Sequence, residues 1–331
     1  MKLRGFLKIL HKDGTELADD AKVAPLNYYG QSWIRKIQIH ANNKLVYEDG
    51  SNYHLKVLTN SLLNYDEMTA ECRMKSSGFY AEGTRQDYPD TDKVGAAWES
   101  IQSQAAYRKL KARFAKSKWV EFTADLFVDI FRTSRDWPNN MNLVVSIFPH
   151  SPEYFLMSEE ADDKPVKYEL KDLTMIVKKI QPNASVVAAN NATIMKSSAN
   201  YQFNGWTLAQ SQLFTGQRKC DTNSLFRGYV PAKTVYFFVD SEALTGSFKK
   251  NPTLFKNWGI TEFVQKVNGI PSPCRPLVFD WENNNIAEAY TSLFDGAGIS
   301  IMNRANLITE DMYKQTRFMI VFDNTSDGRL Y

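Results

Sequence analysis

Ile34-Arg35-Lys36-Ile37-Gln38-Ile39-His40-Ala41 reads as a strand running into the turn pair Asn42-Asn43, followed by a polar stretch and then the apolar-rich Ser61-Leu62-Leu63-Asn64. Far downstream, Ile260-Thr261-Glu262-Phe263-Val264-Gln265-Lys266-Val267 runs into the turn pair Asn268-Gly269, followed by another polar stretch and Ser292-Leu293-Phe294-Asp295. A second echo links Ala124–Phe131, leading into Arg132–Asp136, with Arg317–Phe322, leading into Asp323–Gly328. A third links Gly5–Leu10, which ends at the turn residues Asp13-Gly14, with Val235–Val239, which ends at Asp240-Ser241. All three echoes come in the same order. Long-period self-similarity of this kind indicates two copies of one structural unit, and points to a building block before it points to an enzyme.

Size and composition agree with that organisation. At 331 residues the chain exceeds the length at which one core keeps growing, so two domains are expected. The 43% hydrophobic and 23% charged content is that of a folded protein, and the 13% aromatic content favours strands. A net charge of +3 is too small to argue for nucleic acid or a membrane surface by itself. Cys72, Cys220 and Cys274 are far apart and odd in number, which fits a reducing compartment better than a disulfide framework. The start, Met1–Leu10, imitates a signal peptide, but Lys8 interrupts its apolar run and His11-Lys12-Asp13 follows at once. Without a secretion signal, the acceptor-type triplets at Asn183, Asn191 and Asn324 read as chance.

Strand patterns dominate. Val120, Phe122, Ala124, Leu126, Val128 and Ile130 are apolar at every second position, which places one face in a core. The turn Asp136–Asn140 and the alternating Met141, Leu143, Val145 and Ile147 follow, so the two runs are expected to form an antiparallel pair. Leu173–Val177 is a further strand, stopped by Pro182. Helical pattern is confined to Gly95–Lys118 and to Ser185–Ser198, the latter a short helix or linker. The expected fold is all-β with minor helices: two tandem β-sandwiches of double jelly-roll type, the second incomplete. The first domain is placed at residues 1–184, the linker at 185–199 and the second domain at 200–331.

The sequence offers little chemistry. None of His11, His40, His54 and His150 stands at metal-ligand spacing, and there is no phosphate loop or nucleophile elbow. His40 reads as a surface residue on its strand. Asp280-Trp281-Glu282 holds two carboxylates that would face one way on a strand, as glycosidase chemistry requires. Acid-base work needs environments that separate their pKa values, and the alternative is a packed Trp281 between two wet acids. Arg108, Lys109, Lys111, Arg113, Lys116 and Lys118, with Tyr107, Phe114 and Trp119 interleaved, form a basic cluster. It reads either as a nucleic-acid or subunit contact, through counterion release and stacking, or as a solvated face. The acidic Glu159, Glu160, Asp162 and Asp163 lie in a loop. Long connections over 66–103 and 190–231 place Tyr80, Tyr88, Trp98, Tyr201 and Trp206 either at subunit contacts or over their own sandwich.

A longer set of residues carries a family resemblance. Pro231–Val235 leads to Val239-Asp240-Ser241-Glu242-Ala243-Leu244-Thr245-Gly246-Ser247-Phe248, then Lys249-Lys250-Asn251-Pro252 and Phe255-Lys256. Val267-Asn268-Gly269, Pro276-Leu277-Val278-Phe279-Asp280-Trp281-Glu282 and Ala289-Tyr290-Thr291-Ser292-Leu293-Phe294 follow. In this order they resemble the hexon-like major capsid protein of Polinton (Maverick) elements and related adintoviruses, most densely over 225–296. The resemblance implies a double jelly roll that forms homotrimers tiling an icosahedral shell around double-stranded DNA. It further implies no enzymatic activity, no cofactor and no metal, and a virion location within the host cell or its nucleus, with no membrane partner. A minor penton protein and the packaged DNA are the implied partners besides the chain itself. Asp240, Gly246, Asn251, Pro252, Asn268, Gly269, Asp280, Trp281, Glu282 and Tyr290 are then fold or contact residues.

Set against that family, the chain looks trimmed at both ends. The first unit continues past its Asp136 turn, whereas the second stops at Tyr331 just after the matching turn. A sandwich without closing strands exposes backbone edges, so poor solubility or misassembly is expected; a sharp soluble species with a cooperative melt contradicts it. Two rival readings come from other classes: a host-used β-sandwich that binds sugar or protein, and a hydrolase using Asp280 and Glu282.

Overall fold

Leu3, Gly5, Leu7 and Ile9 alternate with open side chains along β1 (Lys2–His11), so that one face of the strand is buried. The computed structural model describes residues 1–80, 105–133, 135–138, 141–158, 164–197, 200–203, 205–214, 216–222, 225–272, 275–300, 302 and 304–325. The described chain is β-rich with minor helices and sandwich-like. The first half adds β2 (Val23–Pro25), β3 (Ile34–Ala41), β4 (Lys44–Glu48), β5 (Val120–Asp125), β6 (Leu143–Pro149), β7 (Leu156–Ser158) and β8 (Val166–Ile176). The second half holds β9 (Lys233–Phe237), β10 (Glu262–Phe263), β11 (Lys266–Val267), β12 (Ile270–Pro271), β13 (Leu277–Val278) and β14 (Met319–Asp323).

Two three-stranded antiparallel sheets organise the first half, in the orders β5-β1-β8 and β4-β3-β6, with β2 and β7 paired separately. Their apolar faces, with Leu7, Phe122, Ile37 and Ile39, join one core that continues into the second half through Phe255, Phe279, Leu293 and Phe318. The helix Tyr53–Asn64 packs on β3 and is buried along almost its whole length, including His54 and Lys56.

The three echoes of the sequence occupy matching places. β1 pairs antiparallel with β5, and β9 with β14, so corresponding strands are partners in both halves; the echo residues themselves pair only in the second half, since Gly5–Leu7 register with Val120–Phe122, ahead of Ala124–Phe131. The first echo is a hairpin in both: β3 turns into β4 at Asn42 (φ 48°) and Asn43 (φ 65°), and β11 into β12 at Asn268 (φ 51°) and Gly269 (φ 83°). Two consecutive left-handed residues make the turn that suits a two-residue hairpin, which is why Asn and Gly stand there. Downstream of each hairpin comes a helix, Tyr53–Asn64 in one half and Ala287–Ala297 in the other, so the apolar-rich Ser61–Asn64 and Ser292–Asp295 both lie in the last turns of helices.

Several expectations are corrected. The alternating run from Val120 leaves the sheet at Asp125, and Leu126, Phe127, Val128 and Ile130 are all buried regardless of parity. A short 3-10 turn over Asp129–Phe131 replaces the strand end, and the Phe127 amide donates to the Tyr53 hydroxyl at 3.0 Å. β5 and β6 do not pair with each other; β5 lies beside β1 and β6 beside β3. The run Ile260–Val267 is not one strand either, because Gln265 turns inward to accept from Thr234 (2.5 Å) and Tyr236 (3.0 Å) and donate to Asn324 (2.6 Å). The expected helix over 95–118 is described from Ala105 to Phe114, its earlier part lying outside the described residues. The second expected helix spans Ala184–Lys196.

Gly296 shows how tightly the second half closes. A Cβ at this helical position would overlap the Val321 carbonyl of β14. Gly296→Ala is therefore expected to cost on the order of 1–3 kcal/mol through forced backbone movement, read as a lower urea midpoint. An unchanged midpoint would show that helix and strand do not touch there.

Candidate functional site

The basic cluster lies on the helix Ala105–Phe114 and the turn after it. Ala106, Tyr107, Leu110 and Phe114 face the core, so Arg108, Lys109 and Arg113 take the solvent side of an amphipathic helix, with Lys111 half-buried. Arg113 donates to the Tyr80 hydroxyl at 3.3 Å and sits over the Tyr29 ring, while Lys116 pairs with Asp19 at 3.0 Å. Lys118 is exposed. Two of the three interleaved aromatics, Tyr107 and Phe114, are thus core residues, and Tyr29 meets Phe114 edge to face. Only Trp119 remains open, with Lys8 and Lys171 each 5.9 Å from its ring. The stacking platform that a single-stranded nucleic acid needs is not assembled by these residues.

Asp280 and Glu282 do not form a strand pair. Asp280 opens a turn, where its carboxylate accepts from the Asn283 amide (3.1 Å) and from the side chains of Asn283 (2.9 Å) and Asn285 (3.2 Å). The Asn283 hydrogen bonds hold its pKa below the usual carboxylate range, the wrong direction for a general acid. Trp281 stacks on Phe279 and donates to the Ile260 carbonyl at 2.7 Å, and Glu282 is exposed. Glu282→Gln is expected to leave stability within about 0.5 kcal/mol of the parent, checked by chemical denaturation. Any hydrolytic activity lost on converting both acids to amides would overturn this assignment.

The other motif residues hold caps, turns and ring contacts. Asp240 caps the helix Ser241–Thr245 by accepting from the Glu242 amide at 2.9 Å, and it pairs with Lys250 at 2.9 Å. Gly246 closes that helix at φ 118°. Asn251 accepts from the amide and hydroxyl of Thr253 at 2.9 and 2.7 Å, beside the buried Pro252. Tyr290 donates to the Ile308 carbonyl at 2.9 Å and packs edge-on against Phe294. Of the loop aromatics, Tyr201 stacks on Trp137 at 4.8 Å and donates to the Asp136 carbonyl at 3.0 Å, while Trp206 is half-buried. Tyr88 and Trp98, the acidic run 159–163 and Cys274 lie outside the described residues.

Two buried polar clusters escape a reading of sequence spacing. His54 and His150 meet at 3.3 Å between Nδ1 and Nε2, Tyr154 Oη lies 2.9 Å from His54 Nε2, and the Tyr154 ring stacks on His150 at 3.9 Å. Burial pushes the His54 pKa well below its usual value; burial, with Arg35 adding repulsion, lowers His150 to about 3. Nearby, Lys56 Nζ lies 2.9 Å from Asp49 and 2.5 Å from Asp129, and also donates to the Tyr47 hydroxyl at 2.6 Å. Tyr47 in turn donates to Asp49, whose second oxygen is buried with no hydrogen-bond partner among the described residues. Burial drives the Asp49 pKa up despite Lys56. Among the described residues, no set of three metal-ligating side chains comes together, and no helix is long and apolar enough to cross a membrane.

The chain matches no protein-family model. It is similar to an uncharacterized protein of Caenorhabditis elegans, 22% identical over 304 residues, an alignment covering 91% of this chain and 68% of that relative. The similarity therefore runs through both halves and brings no activity with it.

Proposed function

We propose that this chain is a structural capsid subunit, a hexon-like major capsid protein of Polinton (Maverick) type that assembles as homotrimers in an icosahedral shell. The observation that carries the reading is the repeated arrangement of its two halves. A strand pair, β1–β5 or β9–β14, is accompanied in each by an Asn-turned hairpin and a following helix. Two copies of one β unit in tandem are what a double jelly-roll subunit is made of. The motif residues of the second half support the same reading, since most of them shape turns, caps and ring packing and none is arranged as an acid-base pair. In this role the chain performs no catalysis and needs no cofactor. Its partners are its own copies, a penton protein at the shell vertices, and packaged double-stranded DNA touched weakly by Arg108, Lys109 and Lys118. The virion is its destination.

Light scattering on the purified protein tests the reading. A species of three times the 37.9 kDa chain mass is expected, a result that would also set aside the misassembly expected from exposed strand edges, and electron microscopy of concentrated samples should show pseudo-hexagonal arrays. A monomer that stays monomeric at tens of micromolar overturns it and favours a domesticated binding protein.

A further inference from the structure

Between Val166 and Thr234 no described residue is buried, although this stretch holds most of β8 and the thirteen-residue helix Ala184–Lys196. Twelve of the twenty large apolar side chains exposed among the described residues fall in 173–230, less than a fifth of the chain. The helix is the clearest case: Val186 and Ile194 are each nearly half exposed and Met195 is 89% exposed. An isolated helix of this length is marginal in water, because its few hydrogen bonds barely offset the cost of nucleation. Helices of this kind are held by packing an apolar face, and here none of the described residues buries it. Just beyond the helix the segment is tied down: Arg135 donates to the Asn200 carbonyl at 2.7 Å, and Tyr201 stacks on Trp137. It is an arm with a fixed foot and an uncovered apolar body.

We propose that this arm, residues 173–230 centred on the helix Ala184–Lys196, is the surface by which one copy of the chain clasps another. The inference rests on the capsid reading and names the element that makes its trimer. Three observations select a second copy as the occupant. At about half exposure each, the twelve side chains present on the order of 1,000 Å2 of apolar surface, against ~800 Å2 per partner in a standard interface. Lys196 is the only charged residue of the helix; the arm's other charges, Lys178, Lys179, Arg218, Lys219, Asp221 and Arg227, stand outside it, so the helix face itself lacks the row of cations that a nucleic-acid backbone or an anionic headgroup requires. At a rise of 1.5 Å per residue the helix is roughly 20 Å long, too short for a bilayer core of ~30 Å. An apolar surface of this size is rare on a monomer and common where copies meet.

The test is a double variant, V186D/I194D, compared with the parent by light scattering and by hydrogen exchange of the 184–196 amides. Neither side chain is buried in its own subunit, so the variant should keep the parent's cooperative melt when monomeric. The expected result is a parent of three times the chain mass with slow-exchanging arm amides, and a variant of one chain mass whose arm amides exchange within seconds. A variant that remains trimeric overturns the arm as the interface and leaves the capsid reading standing. A parent dimer that the variant abolishes keeps the arm but removes the trimeric capsid. A monomeric parent with fast-exchanging arm amides overturns both. Arm amides that slow only on adding phosphatidylcholine vesicles assign the surface to lipid and overturn the proposal.

Discussion

Lys56→Met is expected to destabilise the fold by about 3–5 kcal/mol at pH 7.5, the cost of leaving buried carboxylates without their cation. Lys56 is 4% exposed, Asp49 2% and Asp129 20%, so water reaches little of the cluster. The ammonium answers two carboxylates and the Tyr47 hydroxyl at once. Removing it leaves Asp49 with Tyr47 as its only remaining donor here, and one carboxylate oxygen already has no partner among the described residues. Methionine fills nearly the same volume, so the loss reads as charge and not as a cavity. The triple variant K56M/D49N/D129N should recover at least about half of the loss, because the unpaired charges go with the cation. Urea midpoints of the three proteins decide it. Equal midpoints for parent and K56M would mean that the cluster is hydrated and contributes nothing.

Why this cluster was hidden in the sequence is informative. The residues before Ser61 read as a polar stretch, yet they form a helix buried on nearly all sides. Its polar members His54 and Lys56 are buried among partners that include residues far along the chain, His150 and Asp129, beside the nearer Tyr47 and Asp49. No periodicity announces such a helix, since its pattern is completed only by the rest of the fold. Local rules were legible where local physics decides. Asn42-Asn43 and Asn268-Gly269 mark hairpins because only such residues accept two left-handed positions in succession. Alternation marks β5 and β6, but it does not say which strands pair, and each lies beside a strand from earlier in the chain. In the basic cluster the aromatics are interleaved in sequence, but helical geometry sends Tyr107 and Phe114 inward and Arg108, Lys109 and Arg113 outward. The exposed arm is legible as an Ala- and Asn-rich helix or linker; that none of the described residues buries it required the structure.

The second large effect is acid sensitivity. Between pH 7 and 5 the protein is expected to lose about 4 kcal/mol of stability through His54 and His150, about 2 kcal/mol from each. Both rings are buried and kept neutral in the fold, with pKa values below the unfolded value near 6.5, His150 at about 3. In this window the unfolded chain takes up protons that the folded chain refuses, so stability falls as pH falls. The full contribution is present above pH 6.5 and is lost progressively towards pH 3. The groups around the pair add no counter-charge: Tyr154 and Tyr168 meet it with neutral hydroxyls, and Arg35 is itself a cation. Asp49 works the other way, since burial raises its pKa and favours the fold in acid; a comparison within one position removes that contribution. His54→Gln keeps a polar side chain beside Tyr154 and His150 but cannot titrate, so its midpoint should fall only about half as steeply between pH 7 and 5. Against the 5–15 kcal/mol of a typical domain, a parent loss of this size is large, and a midpoint that stays flat over the same range would show that the two histidines are already charged or hydrated in the fold.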